Sequence, residues 1–480
     1  MEYCFLKSIR CVLFCLALSC SPLAALPANS TEASASLPAS LISALAQAGI
    51  PEGDIGLFVQ NLTRDREVVS YGADRALNPA SVMKLVTTFA ALELLGPAYK
   101  WKTEAWLDGR MDGDRLVGNL LLKGYGDPKF DLESLWLFLR DLRHRGIRVI
   151  DGDLLLDRSY FAIDAHDPAL FDNEPTRPYN VGADALLLNG KSFRLQFVPN
   201  DARQAVDIYA EPTLPQILVV NRLRLVPGEC DAWPEKPAIV DNVMTFSGAF
   251  PAGCGEKFRY FSLLSPDDFA QALFRQLWVQ VGGSWAGRAR EATLAPGARL
   301  LATWESPPLS DLMREVNKLS VNVMARQIFL TLGAMDGAPA TLQKSRRTLD
   351  QWFSRHGFSF PELVIENGAG LSRADRISAR HLAQLLIAAY RSPLMPEYVS
   401  SLSLTATDGT MKRRLGGSAA AGRAHVKTGY IEGVRAIAGY ALDNRGDTLA
   451  VVLVINHPDA RNAQSVQDAL LEWVHAGAPL

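Results

Sequence analysis

Strand patterns of one kind occur near both ends of this chain, and any fold it adopts must bring those ends together. Residues 56–62 (Gly-Leu-Phe-Val-Gln-Asn-Leu) and 67–71 (Glu-Val-Val-Ser-Tyr) flank a polar turn, which predicts an antiparallel hairpin. Residues 424–429, 434–442 and 448–456 are again strand-like, the last two joined by the turn Asp443-Asn444-Arg445-Gly446. Residues 78–96 open on Asn78-Pro79 and close on Gly96-Pro97, which predicts a largely apolar helix, and residues 463–475 predict a closing helix. Joined, these pieces make one antiparallel sheet with helices packed on it, an α/β (α+β) fold.

The middle of the chain reads differently. Residues from about 100 to 300 alternate strands and polar turns, with one amphipathic helix over 132–145 and an aromatic and proline-rich stretch at 167–180. The predicted organisation is therefore a core domain of residues 29–100 plus 300–480, interrupted by one or two mainly β subdomains at 101–299. A length of 480 residues supports this, since the prior is roughly 150 residues per domain.

Residues 1–28 read as a cleaved secretory signal: basic Lys7 and Arg10, an apolar run over 11–17, then small residues and Pro22. The run is shorter than the ~20 residues a spanning helix needs. An uncleaved anchor and lipidation at Cys20 stand as alternatives. Four of the six cysteines (Cys4, Cys11, Cys15, Cys20) fall in this segment, leaving Cys230 and Cys254. In an oxidising compartment those two are expected to pair, the alternative being two free thiols.

Charge narrows the function classes. With 49 Lys+Arg against 51 Asp+Glu the net charge is −2, which argues against a general nucleic-acid or anionic-membrane binder. No HExxH or Gly-x-Ser-x-Gly is present, and Asn189-Gly190-Lys191-Ser192 has Ala185 where a P-loop needs its first glycine.

What remains is Ser81-Val82-Met83-Lys84 at the start of the apolar helix. Residues three apart share a helix face, so the Lys84 amine can reach the Ser81 hydroxyl. A serine is a weak nucleophile until a base takes its proton, and a lysine serves as that base only if its pKa falls far below about 10.4. Alone the motif is weak, with about one chance match expected at average composition. Its company strengthens it: Ser320-Val321-Asn322 is the only Ser-x-Asn and Lys427-Thr428-Gly429 the only Lys-Thr-Gly. Ser320 can relay a proton from Lys84 to a leaving amine, and Asn322 can orient Lys84 or hold a substrate amide. Lys427 and Thr428 can receive a carboxylate, and Gly429 lets a substrate backbone approach. The backbone N–H groups of Ser81 and Tyr430 are the candidate oxyanion donors.

These three motifs in this order are the signature of penicillin-recognising serine enzymes. With Glu366-Asn367-Gly368-Ala369-Gly370-Leu371-Ser372-Arg373, Asp408-Gly409-Thr410 and the long insertion, the chain resembles the D-alanyl-D-alanine carboxypeptidase/endopeptidase family, the class C penicillin-binding proteins. The resemblance implies a β-lactamase-like transpeptidase fold and a periplasmic hydrolase without metal or cofactor. It implies peptidoglycan stem peptides as substrate and β-lactam antibiotics as covalent inhibitors, no nucleic-acid partner, and a peripheral association with membrane or cell wall. It also carries across an acid in the insertion, placed here at Asp157, that would meet the amino group of a diaminopimelate side chain. Tyr430 departs from the small hydroxyl residue of related enzymes. Two rivals stand beside this reading: a β-lactamase on the same scaffold, which lacks a Glu-x-x-Leu-Asn segment here, and a wall-binding or antibiotic-sensing module without turnover.

Overall fold

Strand Thr448–Asn456 shows why the chain termini meet. Its interior is buried throughout, because both of its faces are covered. Ala450, Val452 and Val454 point into one apolar core, while Leu449, Val451, Leu453 and Ile455 point into another, following the two-residue period of a strand. Each such Val or Leu contributes about 1.5–3 kcal/mol by leaving water. The computed structural model describes residues 36–477, and residues 1–28, assigned above to a signal, lie outside them, as do Cys4, Cys11, Cys15 and Cys20.

The central sheet has six strands in the order Ser403–Leu404, Ala424–Ile431, Val434–Leu442, Thr448–Asn456, Ile55–Asn61 and Arg66–Tyr71. Every neighbouring pair is antiparallel, and Phe58 opposite Val452 joins the two ends of the sequence. On one face lie the helices Ala39–Ala48 and Gln464–His475, through Leu41, Leu45, Leu470 and Val474. On the other lie Lys84–Leu95, Leu309–Lys318, Asn322–Ala334, Leu342–Arg355 and Ala379–Arg391. Helix Lys84–Leu95 is apolar nearly all round because it is sandwiched among these neighbours.

Residues 102–305 build a second core that contains no residue of the first. A long hairpin, Lys102–Asp112 with Arg115–Gly124, anchors a seven-stranded sheet, and two three-stranded sheets follow it. Strand Arg299–Glu305 returns antiparallel to Lys102–Asp112, with Glu305 opposite Lys102, so the chain leaves and re-enters side by side. The amphipathic helix expected over 132–145 is Leu132–His144, capped by the Asp131 side chain accepting from Ser134 N. Cys230 and Cys254 are disulfide-bonded with their Cα atoms 4.4 Å apart and a sequence separation of 24. Closing a loop of that length stabilises by about 3 kcal/mol in the chain-entropy model. Among the described residues no helix is long and apolar enough to cross a membrane.

Candidate active site

The helix expected from residue 78 begins later, and the delay makes the site. Asn78 is tied down from all sides: its N–H donates to Asn456 Oδ1 (2.8 Å), Asn456 Nδ2 donates to its carbonyl (3.0 Å), and its own Nδ2 donates to Ser372 O (2.8 Å). Its Oδ1 accepts from Ala80 N (2.8 Å), a local bond that competes with helical geometry, and Pro79 offers no N–H. Ala80 is thereby held at φ 46° and Ala80–Met83 form a 3-10 turn ahead of the α-helix at Lys84. In such a turn residues i and i+3 eclipse, which sets Lys84 Nζ 3.0 Å from Ser81 Oγ.

Two glycines leave room for this turn. A Cβ on Gly370, whose φ is +75°, would stand 1.9 Å from the Ala80 carbonyl oxygen. A Cβ on Gly429 would stand 2.5 Å from Pro79 O and 3.1 Å from Ser81 N. The space on the Cβ side of Gly429 is thus filled by the turn that carries Ser81. Gly370→Ala is expected to displace Ser81 and lower the rate of penicillin acylation about 100-fold, with the far-UV circular dichroism unchanged. Stopped-flow acylation of the variant checks this, and a wild-type rate would show that the turn tolerates the shift.

Lys84 is fully buried and meets three oxygens: Ser81 Oγ, Asn322 Oδ1 at 2.7 Å and the Ala369 carbonyl at 2.5 Å. Ala369 is presented by a loop whose Gly368 carbonyl accepts from Thr87 Oγ1 (2.7 Å) and whose Asn367 Oδ1 accepts from Ala369 N (2.9 Å). A neutral amine has two N–H bonds and one lone pair. With Asn322 and Ala369 taking the two hydrogens, the lone pair is left facing the Ser81 hydroxyl. Burial, and then the positive charges of Lys427 and Arg326, hold the Lys84 pKa well below the usual lysine value, against a smaller opposing pull from Asp375.

Ser320 lies between helices Leu309–Lys318 and Asn322–Ala334 in the left-handed region, φ 60°. Its hydroxyl accepts from Lys427 Nζ at 2.9 Å rather than from Lys84. Lys427 also donates to Thr428 O (2.6 Å), and its complete burial lowers its pKa to about 7. Thr428 is half-buried, and its hydroxyl donates to Thr410 Oγ1 at 2.8 Å. The Tyr430 side chain is 55% exposed with the Arg435 guanidinium 4.8 Å from its ring centre, so the phenol is turned to solvent.

The inserted region reaches this cluster through backbone. Asn322 Nδ2 donates to Tyr179 O (3.1 Å), and the buried Arg326 donates to Val181 O. Desolvation pushes the Arg326 pKa down to about 10. Asp157 does not join the constellation. It is fully buried at the end of strand Leu154–Asp157, where it accepts from Lys123 Nζ, Ser159 N and Leu294 N, each at 2.9 Å, and from the Ser159 hydroxyl. Burial pushes its pKa up, but these bonds and the lysine outweigh it and leave the carboxyl below the usual value. Its lone pairs are already committed, which is the physical reason to remove it from the substrate-facing set. The groups that residue spacing did not indicate are Ala369 O, Arg326, Thr410 and the Tyr179 carbonyl. Two of them had a signal: Ala369 in its two flanking glycines, and Thr410 in the Asp408-Gly409-Thr410 segment of the family resemblance.

Known proteins share this architecture. D-alanyl-D-alanine carboxypeptidase DacB of Haemophilus influenzae is 24% identical over 416 residues, covering 85% of this chain and 86% of its own. A D-alanyl-D-alanine carboxypeptidase of Actinomadura is 25% identical over 430 residues, covering 86% and 80%. The crystal structure of penicillin binding protein 4 (dacB) from Haemophilus influenzae superposes with a TM-score of 0.74 at 23% identity, covering 90% of this chain and 99% of that one, and the same protein has been solved complexed with a β-lactam. The description D-Ala-D-Ala carboxypeptidase 3 (S13) matches residues 37–476, nearly the whole of the described chain, and this protein belongs to that family.

Proposed function

We propose that this enzyme hydrolyses the terminal D-Ala-D-Ala bond of peptidoglycan stem peptides, and the D-Ala-diaminopimelate cross-link between them, through an acyl-enzyme on Ser81. The observation that carries the reading is the Lys84 amine, 3.0 Å from Ser81 Oγ with its other hydrogens engaged by Asn322 and Ala369. In this mechanism neutral Lys84 takes the Ser81 proton as Oγ bonds to the D-Ala carbonyl carbon. The N–H groups of Ser81 and Tyr430 receive the oxyanion. As the C–N bond breaks, Ser320 gives its proton to the leaving amine and is re-protonated by Lys427, the cation it touches. Water then attacks the ester and gives its proton, through Ser320, to Lys427. Lys84 returns its proton to Ser81 Oγ, so the resting state is restored.

Thr428 receives the substrate carboxylate, with Lys427 and Arg326 supplying positive field from behind. β-Lactams enter the same route and stop at the acyl-enzyme, a reading supported by family membership and by the β-lactam complex of the Haemophilus influenzae relative. Residues 29–100 with 300–480 form the catalytic domain and 101–299 the insertion, a division supported by the pairing of Lys102–Asp112 with Arg299–Glu305. Residues 1–28 direct export to the periplasm, which the Cys230–Cys254 disulfide supports.

Mass spectrometry of purified wall fragments tests the assignment. Pentapeptide monomers are expected to lose terminal D-Ala, and cross-linked dimers to become monomers. Unchanged fragments of both kinds would leave the wall-sensing reading as the better one.

A further inference from the structure

The inserted region holds a cleft of about 660 Å³ whose lining includes no residue of the Ser81 cluster. It opens between helix Leu132–His144, the C-terminal part of helix Pro266–Gln280 and the strands Phe193–Asn200, Ala205–Glu211 and Lys257–Phe261. Its chemistry is specific in three respects. Two aromatic rings border it: Tyr260, 54% exposed on its strand, and Trp136, which carries the Arg140 guanidinium 5.2 Å from its ring centre. Gln276 contributes a side-chain carbonyl oxygen that is buried and has no donor, an unmet acceptor of a kind that folded proteins normally satisfy. The ionised side chains of the lining are three carboxylates against one guanidinium, Arg194, which is itself paired with Glu211.

That balance selects the ligand. The carboxylates of the lining disfavour phosphates and peptide carboxylates. The exposed Tyr260 ring suits a flat, apolar C–H surface, and the carboxylates ask for several hydroxyl or N–H donors. A pyranose ring carries both features on one uncharged frame. We propose that this cleft binds the glycan strand of peptidoglycan, with an N-acetylated amino sugar stacked on the exposed Tyr260 ring and its hydroxyls donating to the carboxylates of Asp131 and Glu133. The inference rests on the reading that the substrate is cell wall, and it adds a second point of attachment, separate from the bond that is cut. An enzyme held by the strand searches the stem peptides on that strand, which raises their effective concentration at Ser81.

The test titrates the mature full-length protein with the tetramer of β-1,4-linked N-acetylglucosamine, followed by saturation-transfer NMR. Saturable binding is expected in the wild type, weakened at least tenfold in Tyr260→Ala and in Glu133→Ala. Tyr260 is exposed, so its truncation leaves the fold intact. Penicillin acylation, measured on the same samples, is expected to stay at the wild-type rate in both variants. Absence of saturable binding in the wild type, or equal affinity in both variants, overturns the proposal, as does displacement of the sugar by a peptide-only stem fragment. Because acylation is read separately, a protein that binds sugar but is not acylated refutes the Ser81 chemistry and not the cleft.

Discussion

Ser81→Ala is expected to abolish covalent labelling by penicillin and to stop release of D-Ala from a pentapeptide. Removing a serine nucleophile in a comparable acyl-transfer site costs about 10⁶ in turnover. In the proposed mechanism the hydroxyl is the only group of the cluster that forms a bond to carbon. Ser320 Oγ is engaged by Lys427, and Lys84 is buried behind Ser81. The fold should survive, because Ser81 is half-buried at the surface of the site and Lys84 keeps Asn322 Oδ1 and Ala369 O as acceptors. Intact-protein mass spectrometry after incubation with penicillin reads the result directly. A stoichiometric adduct on the variant would move the nucleophile elsewhere.

Lys84→Ala should be nearly as damaging, for a different reason. The nucleophile remains but its base is gone, a loss of about 10²–10⁴ in acylation rate. The substitution also strands Asn322 Oδ1 and Ala369 O in a buried setting, at about 1–3 kcal/mol for each unmet acceptor, so a lower melting temperature is expected alongside the kinetic loss. The pH profile separates the two effects. In the proposed mechanism only neutral Lys84 accepts the proton, and burial with Lys427 and Arg326 nearby places its pKa well below the ordinary lysine range. Wild-type acylation therefore falls as pH drops through that lowered pKa, whereas the small residual rate of Lys84→Ala should lack this acid limb. An acid limb that persists in the variant would assign it to another group.

Local spacing was enough for the parts of this protein whose geometry is local. The i to i+3 separation of Ser81 and Lys84 survives a change from the expected α-helix to a 3-10 turn, since both bring those residues onto one side. The continuous apolar run in residues 448–456 fits a strand covered on both faces, and the strand patterns at either end of the chain already pointed to their joining in one sheet.

Partners across the chain were another matter. Asn322 orients Lys84, one of two roles its sequence position allowed, and Lys427, not Lys84, holds Ser320. The third contact of the Lys84 amine is a backbone carbonyl, Ala369 O, and every residue has a carbonyl, so residue type does not announce it. Asp157 looked available as an acid at a strand end until packing showed Lys123, Ser159 and Leu294 occupying its oxygens. Cys230 and Cys254 likewise required their Cα atoms to approach, which neither residue type nor spacing contains. Sequence pattern records which groups are present and which neighbours along the chain share a face. Which distant acceptor a buried cation meets depends on how separate layers close on one another, and that is settled only when the whole core packs.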